Sequence, residues 1–520
     1  MKLCTKAALA LVLACPVAPA AAEWKEATSR HFVVYSELPR KDLERYVTRL
    51  EQFDGVVREI QGSKDPEPNA ATRLTVYMVK SASDVGRIVG MAEAAGAYFP
   101  RAEGIIAVTP EHGSGRGEWA LDASTIFFHE YAHHLMLQNL DVMYPKWLVE
   151  GYAEFLSTAQ FEKDGRLRLG QPADHRMYEI TLGARLSYDR LLANEEIKAS
   201  DPTITSFYGR SWILTHYFMF TPERQKQLAK YLTLLNQNVP GRAAAEQAFG
   251  SLGKLNAEVE SYLRKPSRPF SRFDAAKYAP KSIEVRPLRP GEAAVMNARI
   301  QSKVGVDKKR GAQVVEEVRR IAALHSNDPI VLVSLAEAEL DTENYAAAYA
   351  AADRALALDP RSTEAMIFKG RALTSNPANK GKAEPFAQAR SLFAAANKID
   401  TEDPEPLKYY WESYKRQDAR PTANAAAGLH YASLLVPQDM DLRILSAWQY
   451  LQDGNPALAQ DRLLSIATNS HEGKRGAKAR EAIGKIAAND RAGAIQVVQT
   501  MMPDQSAEQT KPGDRKKKDD

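Results

Sequence analysis

The feature that most constrains this chain is a pair of short motifs that place metal-ligating side chains at helical spacing. The first is His-Glu-Tyr-Ala-His, in which His129 and His133 lie four residues apart and Glu130 follows the first histidine. Side chains four apart share one face of an α-helix, so both imidazoles can reach one ion beside Glu130. The second motif, Trp-Leu-Val-Glu-Gly-Tyr-Ala-Glu, carries Glu150 and Glu154. The fold must therefore bring two helices together at one point.

This residue set is typical of a zinc hydrolase. Catalytic zinc takes three protein ligands and keeps a fourth position for water, and His129, His133 and Glu150 are expected to supply the three. Glu130 is then placed to act as general base towards a water acidified by one bound Zn²⁺. Glu154, four residues after Glu150, is expected to accept the free N–H of a ligand histidine and fix its tautomer. The alternative for Glu154 is a solvated helix acid.

The two motifs resemble those of the gluzincin metallopeptidases, the class that contains thermolysin and aminopeptidase N, and most closely the bacterial peptidase-MA-like domains. The resemblance extends from Trp24 to Leu263 and is strong only around the motifs. It implies the zinc ligands and the general base already described, and a tyrosine that donates a hydrogen bond to the developing oxyanion. The segment Ser-Phe-Tyr-Gly-Arg-Ser-Trp nominates Tyr208 for that role. The alternative for Tyr208 is a half-buried aromatic residue at the start of a helix.

Residues 1–22 have the three parts of a secretory signal peptide, which are a short basic region, an apolar run and small residues before the cleavage site. The expected location is the bacterial periplasm or the exterior, and a lipoprotein anchor at Cys15 is the alternative. Both cysteines, Cys4 and Cys15, lie in this segment. A mature chain without cysteine must ligate metal through histidine and carboxylate.

Charge and length narrow the function classes. The 520 residues carry a formal net charge of +4, and removing Lys2 and Lys6 with the signal peptide leaves +2. A charge this small does not predict a nucleic-acid partner, and no transmembrane segment is expected after cleavage. The length implies two or three domains. Nothing in the composition indicates an oligomeric state.

Apolar alternation predicts a small mixed sheet in an N-terminal subdomain, residues 23–123, ahead of a helical metal-binding subdomain, residues 124–265. The predicted strands are 31–35, 73–79 and 104–108. Residues 96–100 are expected to form an edge strand beside the metal, where an extended peptide could pair. The proline-rich segment 266–290 is predicted to be a linker.

The rest of the chain is alanine-rich and repeats at the length of a tetratricopeptide unit. Leu335, Ala336, Ala348, Ala355 and Pro360 reproduce the small and large positions of that 34-residue unit. Similar positions recur in three further segments. This resembles a tetratricopeptide (TPR) array of about four repeats within residues 291–490, preceded by a degenerate helix pair. A generic alanine-rich bundle is the alternative.

A TPR groove predicts a peptide or protein partner. Residues 503–520 are polar and predicted to be disordered. The expected fold class is α+β, with a small mixed sheet and a helical gluzincin-like domain followed by an all-α TPR solenoid. The expected function is an exported zinc metallopeptidase that hydrolyses peptide bonds. The alternatives are a non-catalytic TPR interaction scaffold with a peptidase-like platform, and a zinc amidase acting on cell-wall fragments.

Overall fold

The computed structural model describes most of the chain. The described residues are 23–65, 73–91, 94–113, 123–138, 144–195, 197–198, 200–237, 239–468 and 473–503. The predicted signal peptide, and the predicted disordered tail from residue 504 onward, lie outside the described residues.

Strands and helices alternate at first, and helices then dominate. The first elements are β1 (Lys25–Thr28), β2 (Phe32–Ser36), α1 (Arg40–Gln61), β3 (Leu74–Val79), α2 (Ala82–Val89), β4 (Ala97–Arg101), β5 (Gly104–Pro110), α3 (Ala123–Gln138) and α4 (Lys146–Ser157). The next are β6 (Gln160–Phe161), β7 (Arg166–Leu169), α5 (Met177–Leu182), α6 (Tyr188–Leu192), α7 (Phe207–Met219), α8 (Pro222–Asn236), α9 (Gly241–Phe249), α10 (Leu252–Leu263), β8 (Ser271–Asp274) and β9 (Glu284–Pro287). We call this part, residues 23–288, the N-terminal domain.

The predicted mixed sheet is confirmed and has six strands in the order β4-β5-β3-β2-β1-β9. The β2-β3 and β3-β5 pairs are parallel, whereas β4 runs antiparallel to β5, and β1 runs antiparallel to both β2 and β9. Strand β4 is therefore an edge strand, as expected for residues 96–100. Its register sets Tyr98 opposite Ala107.

Each strand alternates its side chains between the two faces of this sheet. Both faces are covered by other parts of the chain. Phe32 and Val34 of β2 are fully buried in one hydrophobic core with Phe53 of α1 and with α3. On the other face, Tyr77 of β3 packs in a second core together with α2 and with the first helix of the second domain. Helix α3, which carries His129 and His133, therefore rests on a rigid layer.

The segment 266–290 is not a free linker, although the sequence predicts one. Strand β8 pairs with β7 to complete a three-stranded sheet, and β9 pairs with β1 at the edge of the large sheet. These strands are four residues long and flanked by prolines, so their apolar alternation is too short to show in the sequence. An edge position tolerates Pro287, because its missing N–H can face away from the ladder.

The second domain, which we call the repeat domain, consists of helices joined by short turns. Its helices are α11 (Pro290–Val304), α12 (Lys308–Leu324), α13 (Pro329–Asp341), α14 (Tyr345–Leu358), α15 (Thr363–Ser375), α16 (Ala383–Ile399), α17 (Pro404–Arg416), α18 (Ala423–Leu435), α19 (Met440–Gln452), α20 (Pro456–Thr468), α21 (Gly473–Ala487) and α22 (Arg491–Gln499). They form six successive pairs within the described residues, one more than the four repeats and the preceding degenerate pair that the sequence predicts.

Small residues allow the helices of a pair to approach closely. A Cβ at Gly370 of α15 would lie 2.5 Å from the ring of Phe393 on α16, so only glycine fits that crossing. Ala348 and Ala355 of α14 are fully buried against the neighbouring helices. The α+β fold class, with an all-helical repeat domain after a small mixed sheet, is confirmed. Of the described helices, none is both long and apolar enough to span a membrane.

Candidate metal centre

Helices α3 and α4 pack side by side and bring the two motifs together. The Nε2 atoms of His129 and His133 are 3.2 Å apart. Glu150 Oε2 lies 3.7 Å from Nε2 of His129 and 3.5 Å from Nε2 of His133. All three residues can therefore direct one ligand atom each to a common point.

These separations fit a small tetrahedral ion. Ligand bonds of about 2.0–2.1 Å to zinc place neighbouring ligand atoms roughly 3.3–3.4 Å apart at tetrahedral angles. The observed separations of 3.2, 3.5 and 3.7 Å lie close to that value. Two imidazoles and one carboxylate are also the donor types that zinc prefers when no thiolate is available. The described residues therefore fit a zinc ion with three protein ligands.

Glycine in the second motif sets how closely helix α7 approaches α4. A Cβ at Gly151 would lie 2.3 Å from the backbone oxygen of Ser211 and 2.3 Å from the hydroxyl of Thr215, both on α7. No side chain fits in that space. The glycine thus lets α7, which carries Tyr208 at its start, pack directly against the helix of Glu150.

Glu154 lies behind the ligands, fully buried, and accepts hydrogen bonds from three sides. Its Oε1 is 3.2 Å from Nδ1 of His129, the ring nitrogen that faces away from the ligand cluster. Its Oε2 is 2.9 Å from Nε2 of His175, and Arg176 donates to Oε1 from Nη2 at 2.6 Å. The structure therefore places Glu154 where it orients His129, and the solvated alternative does not describe this buried side chain.

The carboxylates give this centre a strongly negative potential. Burial alone would lower the pKa of His129, but the charge of Glu154, followed by those of Glu130 and Glu150, raises it to about 9. Burial would raise the pKa of Glu154, yet His129 and the neighbouring cations hold it well below its usual range. Such a field favours a cation at the ligand atoms.

Glu130 lies on α3 between the metal centre and the edge strand β4. The chain just before β4 runs very close to α3, because a Cβ at Gly96 would be 2.4 Å from Ile126 Cγ2 and 3.9 Å from Glu130 Cγ. Tyr98 of β4 meets the same helix and forms a hydrogen bond of 2.7 Å with Nδ1 of His134. The general-base candidate therefore lies next to the strand that was expected to bind peptide.

Tyr208 is the second residue of α7 and is partly buried. Burial raises the pKa of its phenol, and so does the charge of Glu150, while Arg176 opposes that shift. The guanidinium of Arg176 lies 4.8 Å from the centre of the Tyr208 ring. The Tyr208 hydroxyl is therefore protonated at neutral pH and can donate a hydrogen bond.

The sequence did not predict the roles of His175 and Arg176, which both bond to Glu154. Arg176 also contacts the ring of Tyr208. Arg176 also donates to Glu179 at 2.6 Å, and Glu179 in turn accepts the N–H of Gly209, one residue after Tyr208. These residues follow the second motif by about twenty positions, in a short 3₁₀ turn. No periodic signal marks such a turn, so only the fold could assign it to the centre.

His134, adjacent to a ligand, has a structural role. It is buried, stacks on Tyr131 with ring centroids 5.2 Å apart, and bonds to Tyr98. Burial lowers its pKa to about 3, with a further contribution from Arg58, so the ring is neutral. It ties β4 to α3.

One protein-family model matches part of this chain. A family model described as a protein of unknown function (DUF1570) matches residues 122–241, which contain both motifs and Tyr208. No curated protein matches the chain. The match covers a minority of the chain, and its description names no activity.

Similar solved structures include the following three. A tetratricopeptide repeat protein from Parabacteroides merdae is 13% identical, with 55% of this chain and 96% of that chain covered and a TM-score of 0.29. Yeast Tom70 is 12% identical, with 72% and 75% covered and a TM-score of 0.25. MamA from Desulfovibrio magneticus is 15% identical, with 32% and 90% covered and a TM-score of 0.25. Likenesses at this level do not bear on what the chain does.

Proposed function

We propose that the N-terminal domain is a zinc-dependent hydrolase that cleaves peptide bonds in a peptide or protein substrate. The observation that supports this most is the convergence of His129, His133 and Glu150 at separations that suit one zinc ion. The charge of Glu130 also acts on His129, and the protonated phenol of Tyr208 interacts with the charges of Glu150 and Glu130. A purely structural zinc site would use a fourth protein ligand and would not need either group.

The roles of the protein groups follow from their positions. A zinc ion held by the three ligands would supply Lewis acidity, which lowers the pKa of a water and polarises a carbonyl. Glu130 accepts the proton of the attacking water and later returns it to the leaving amine. Tyr208 donates a hydrogen bond to the oxygen that gains negative charge. Glu154 keeps the imidazole of His129 in the tautomer that ligates through Nε2.

The substrate class is inferred from strand β4. An edge strand offers unpaired N–H and C=O groups, to which an extended peptide can add as a further strand. Strand β4 is such an edge, and a Cβ added at Gly96, just before it, would lie 3.9 Å from Glu130 Cγ. A peptide that pairs with β4 would carry its backbone carbonyls past the general base. This arrangement favours a peptide over a small non-peptide amide.

The test is a comparison of matched variants. The mature chain is analysed for bound zinc, and hydrolysis of a mixed peptide library is measured for the wild type, Glu130→Gln and Glu246→Gln. Glu246 is exposed on α9, so its substitution controls for loss of one negative charge. We expect about one equivalent of zinc in all three proteins and loss of cleavage only in Glu130→Gln. Cleavage that survives Glu130→Gln would contradict the proposed mechanism.

A second candidate function is a protein-interaction scaffold in which the repeat domain carries the activity. The second helices of the first four pairs each expose a large apolar side chain at or next to their last residue, namely Leu324 at 82%, Leu358 at 47%, Ile399 at 37% and Leu434 at 57% exposure. Exposed apolar side chains that recur in this way favour contact with a protein partner. Bound zinc without Glu130-dependent cleavage would favour this scaffold. Cleavage of cell-wall muropeptides alone would instead favour an amidase.

A further inference from the structure

The turn between β4 and β5 inserts into the repeat domain. We call the face formed by the first helices of the first five pairs, α11, α13, α15, α17 and α19, the inner face. Glu103, in the turn, accepts hydrogen bonds from Lys408 Nζ at 2.5 Å and from the Tyr409 hydroxyl at 2.8 Å, both on α17. The N–H of Ala102 donates to Asp439 Oδ2 at 2.8 Å, at the start of α19. The turn thus bridges two repeats.

The charges on this inner face match the turn. Burial would raise the pKa of Glu103, but the ammonium of Lys408 and the guanidinium of Arg371 lower it to about 2. Burial raises the pKa of Asp439 to about 6, and its carboxylate still accepts the backbone N–H of the turn. The Lys408 side chain is 13% exposed and that of Glu103 is 23% exposed. A charge-assisted hydrogen bond removed from water in this way is strong and depends on geometry.

The adjoining residue extends the contact. Arg101, at the end of β4, donates from Nη1 to the backbone oxygen of Val304 at 3.3 Å, at the end of α11. Helices α11, α17 and α19, which belong to the first, fourth and fifth pairs, therefore all contact this one short hairpin. The inner face is filled here by the chain's own hairpin.

The same strand reaches the metal centre at its other end. Gly96 and Tyr98 lie against α3, beside Glu130 and His134. Five strand residues span about 17 Å at roughly 3.3 Å per residue. Strand β4 therefore links the repeat domain directly to the helix that carries the zinc ligands.

We propose that the inner face of the repeat domain is a binding site for the β4–β5 turn, in which Lys408 and Tyr409 are positioning residues that set where β4 lies beside Glu130. The site recognises an acidic side chain on a tight turn. Its effect on hydrolysis rests on the proposed function, whereas the binding itself does not. A protein recruited by the repeats would bind elsewhere or would compete with Glu103.

Hydrogen exchange of the full mature chain tests the binding without any substrate. Amide exchange is measured across residues 97–108 in the wild type, Lys408→Met, Lys408→Arg and Lys415→Met. Lys415 lies on the same helix, over the ring of Trp448, and controls for the substitution itself. We expect exchange in this hairpin to be at least about tenfold faster in Lys408→Met, close to the wild type in Lys408→Arg and unchanged in Lys415→Met.

Equal exchange in Lys408→Met and Lys415→Met would overturn the proposal. So would an acceleration of the same size in α1, because that result would mean general loosening. If Lys408→Met does not fold, Glu103→Gln serves instead, since the amide keeps a bond to Tyr409 and loses only the charge. Its hairpin should exchange faster than the wild type, and an unchanged hairpin would again contradict the proposal.

Kinetics then separate positioning from catalysis. With a peptide substrate, Lys408→Met should raise KM by at least about fivefold while kcat and bound zinc change less, because strand pairing is lost and the reacting groups are not. An unchanged KM in a variant whose hairpin exchanges faster would contradict the positioning role. If the wild type cleaves no peptide, the proposed function fails, and hydrogen exchange still decides whether the turn is bound.

Discussion

Replacing Glu154 by glutamine removes one negative charge from behind the metal centre while it preserves the shape of the side chain. The carboxylate accepts from His129 at 3.2 Å, from His175 at 2.9 Å and from Arg176 at 2.6 Å. An amide has one acceptor oxygen and one NH₂ donor, so it cannot satisfy these three donors together. His129 then loses the partner that fixes its tautomer. Loss of such a partner lowers metal affinity by about 10- to 100-fold, which equals ~1.4–2.8 kcal/mol.

The assay is a competition titration of zinc against a chromophoric chelator at neutral pH. Glu179→Gln is the matched control, because Glu179 also accepts a hydrogen bond from Arg176, at 2.6 Å. Its other hydrogen bond comes from the N–H of Gly209 and not from a histidine. We expect Glu154→Gln to bind zinc 10- to 100-fold more weakly than the wild type, as estimated above, and Glu179→Gln to differ by less than about threefold. Equal affinities for Glu154→Gln and Glu179→Gln would refute the claim that Glu154 supports the ligand.

Three further predictions concern packing, pH and export. Gly151→Ala should destabilise the chain by about 1–3 kcal/mol in urea unfolding, because its Cβ would lie 2.3 Å from the backbone oxygen of Ser211. Burial lowers the pKa of His31, but its hydrogen bonds and charge interactions with Glu51 and other carboxylates outweigh burial, so this pKa is raised above 6.5. Stability from a raised pKa is fully present below the unfolded value of 6.5 and is lost as pH rises through the folded value, so Tm should fall as pH rises above about 6.5. The exported chain should begin at Glu23 by N-terminal sequencing.

Controls for these predictions are available in the same chain. Gly253→Ala lies in helix α10, where the new Cβ meets nothing closer than 4.0 Å, so it should not destabilise. His31→Gln should flatten the fall of Tm with pH, and an equally steep fall in that variant would show that other groups cause it. A mature chain that begins at Cys15 would indicate the lipoprotein alternative.

The clustering of His129, His133 and Glu150 could be predicted because the spacing within each motif is local. His129 and His133 share a helix face whatever surrounds them, and Glu150 with Glu154 repeats that spacing on the next helix. The repeat domain was predictable for a related reason, since alanines at fixed intervals record helix pairs that contact only their neighbours. Tyr208 was nominated by the resemblance, and its partly buried place at the start of α7 is expected under both interpretations of this residue.

What the sequence did not predict depends on contacts between distant segments. His175 and Arg176 act on Glu154 from a short turn, and β9 returns to the first sheet after some 250 residues of other structure. The pairing of Glu103 with Lys408 joins two domains and carries no local pattern. Such contacts are set by the whole fold, because neither partner changes the periodicity of its own segment.

Strand β9 has a practical consequence for dividing this protein into parts. A fragment that ended at residue 265 would leave β1 as an open sheet edge and would also lose β8, so both sheets would be incomplete. Open edges of that kind invite pairing between molecules. The smallest fragment with a complete large sheet ends after Pro287. A fragment in which the α2 side of that sheet is also covered must include α11. Helix α11 is therefore a structural part of both the N-terminal domain and the repeat domain.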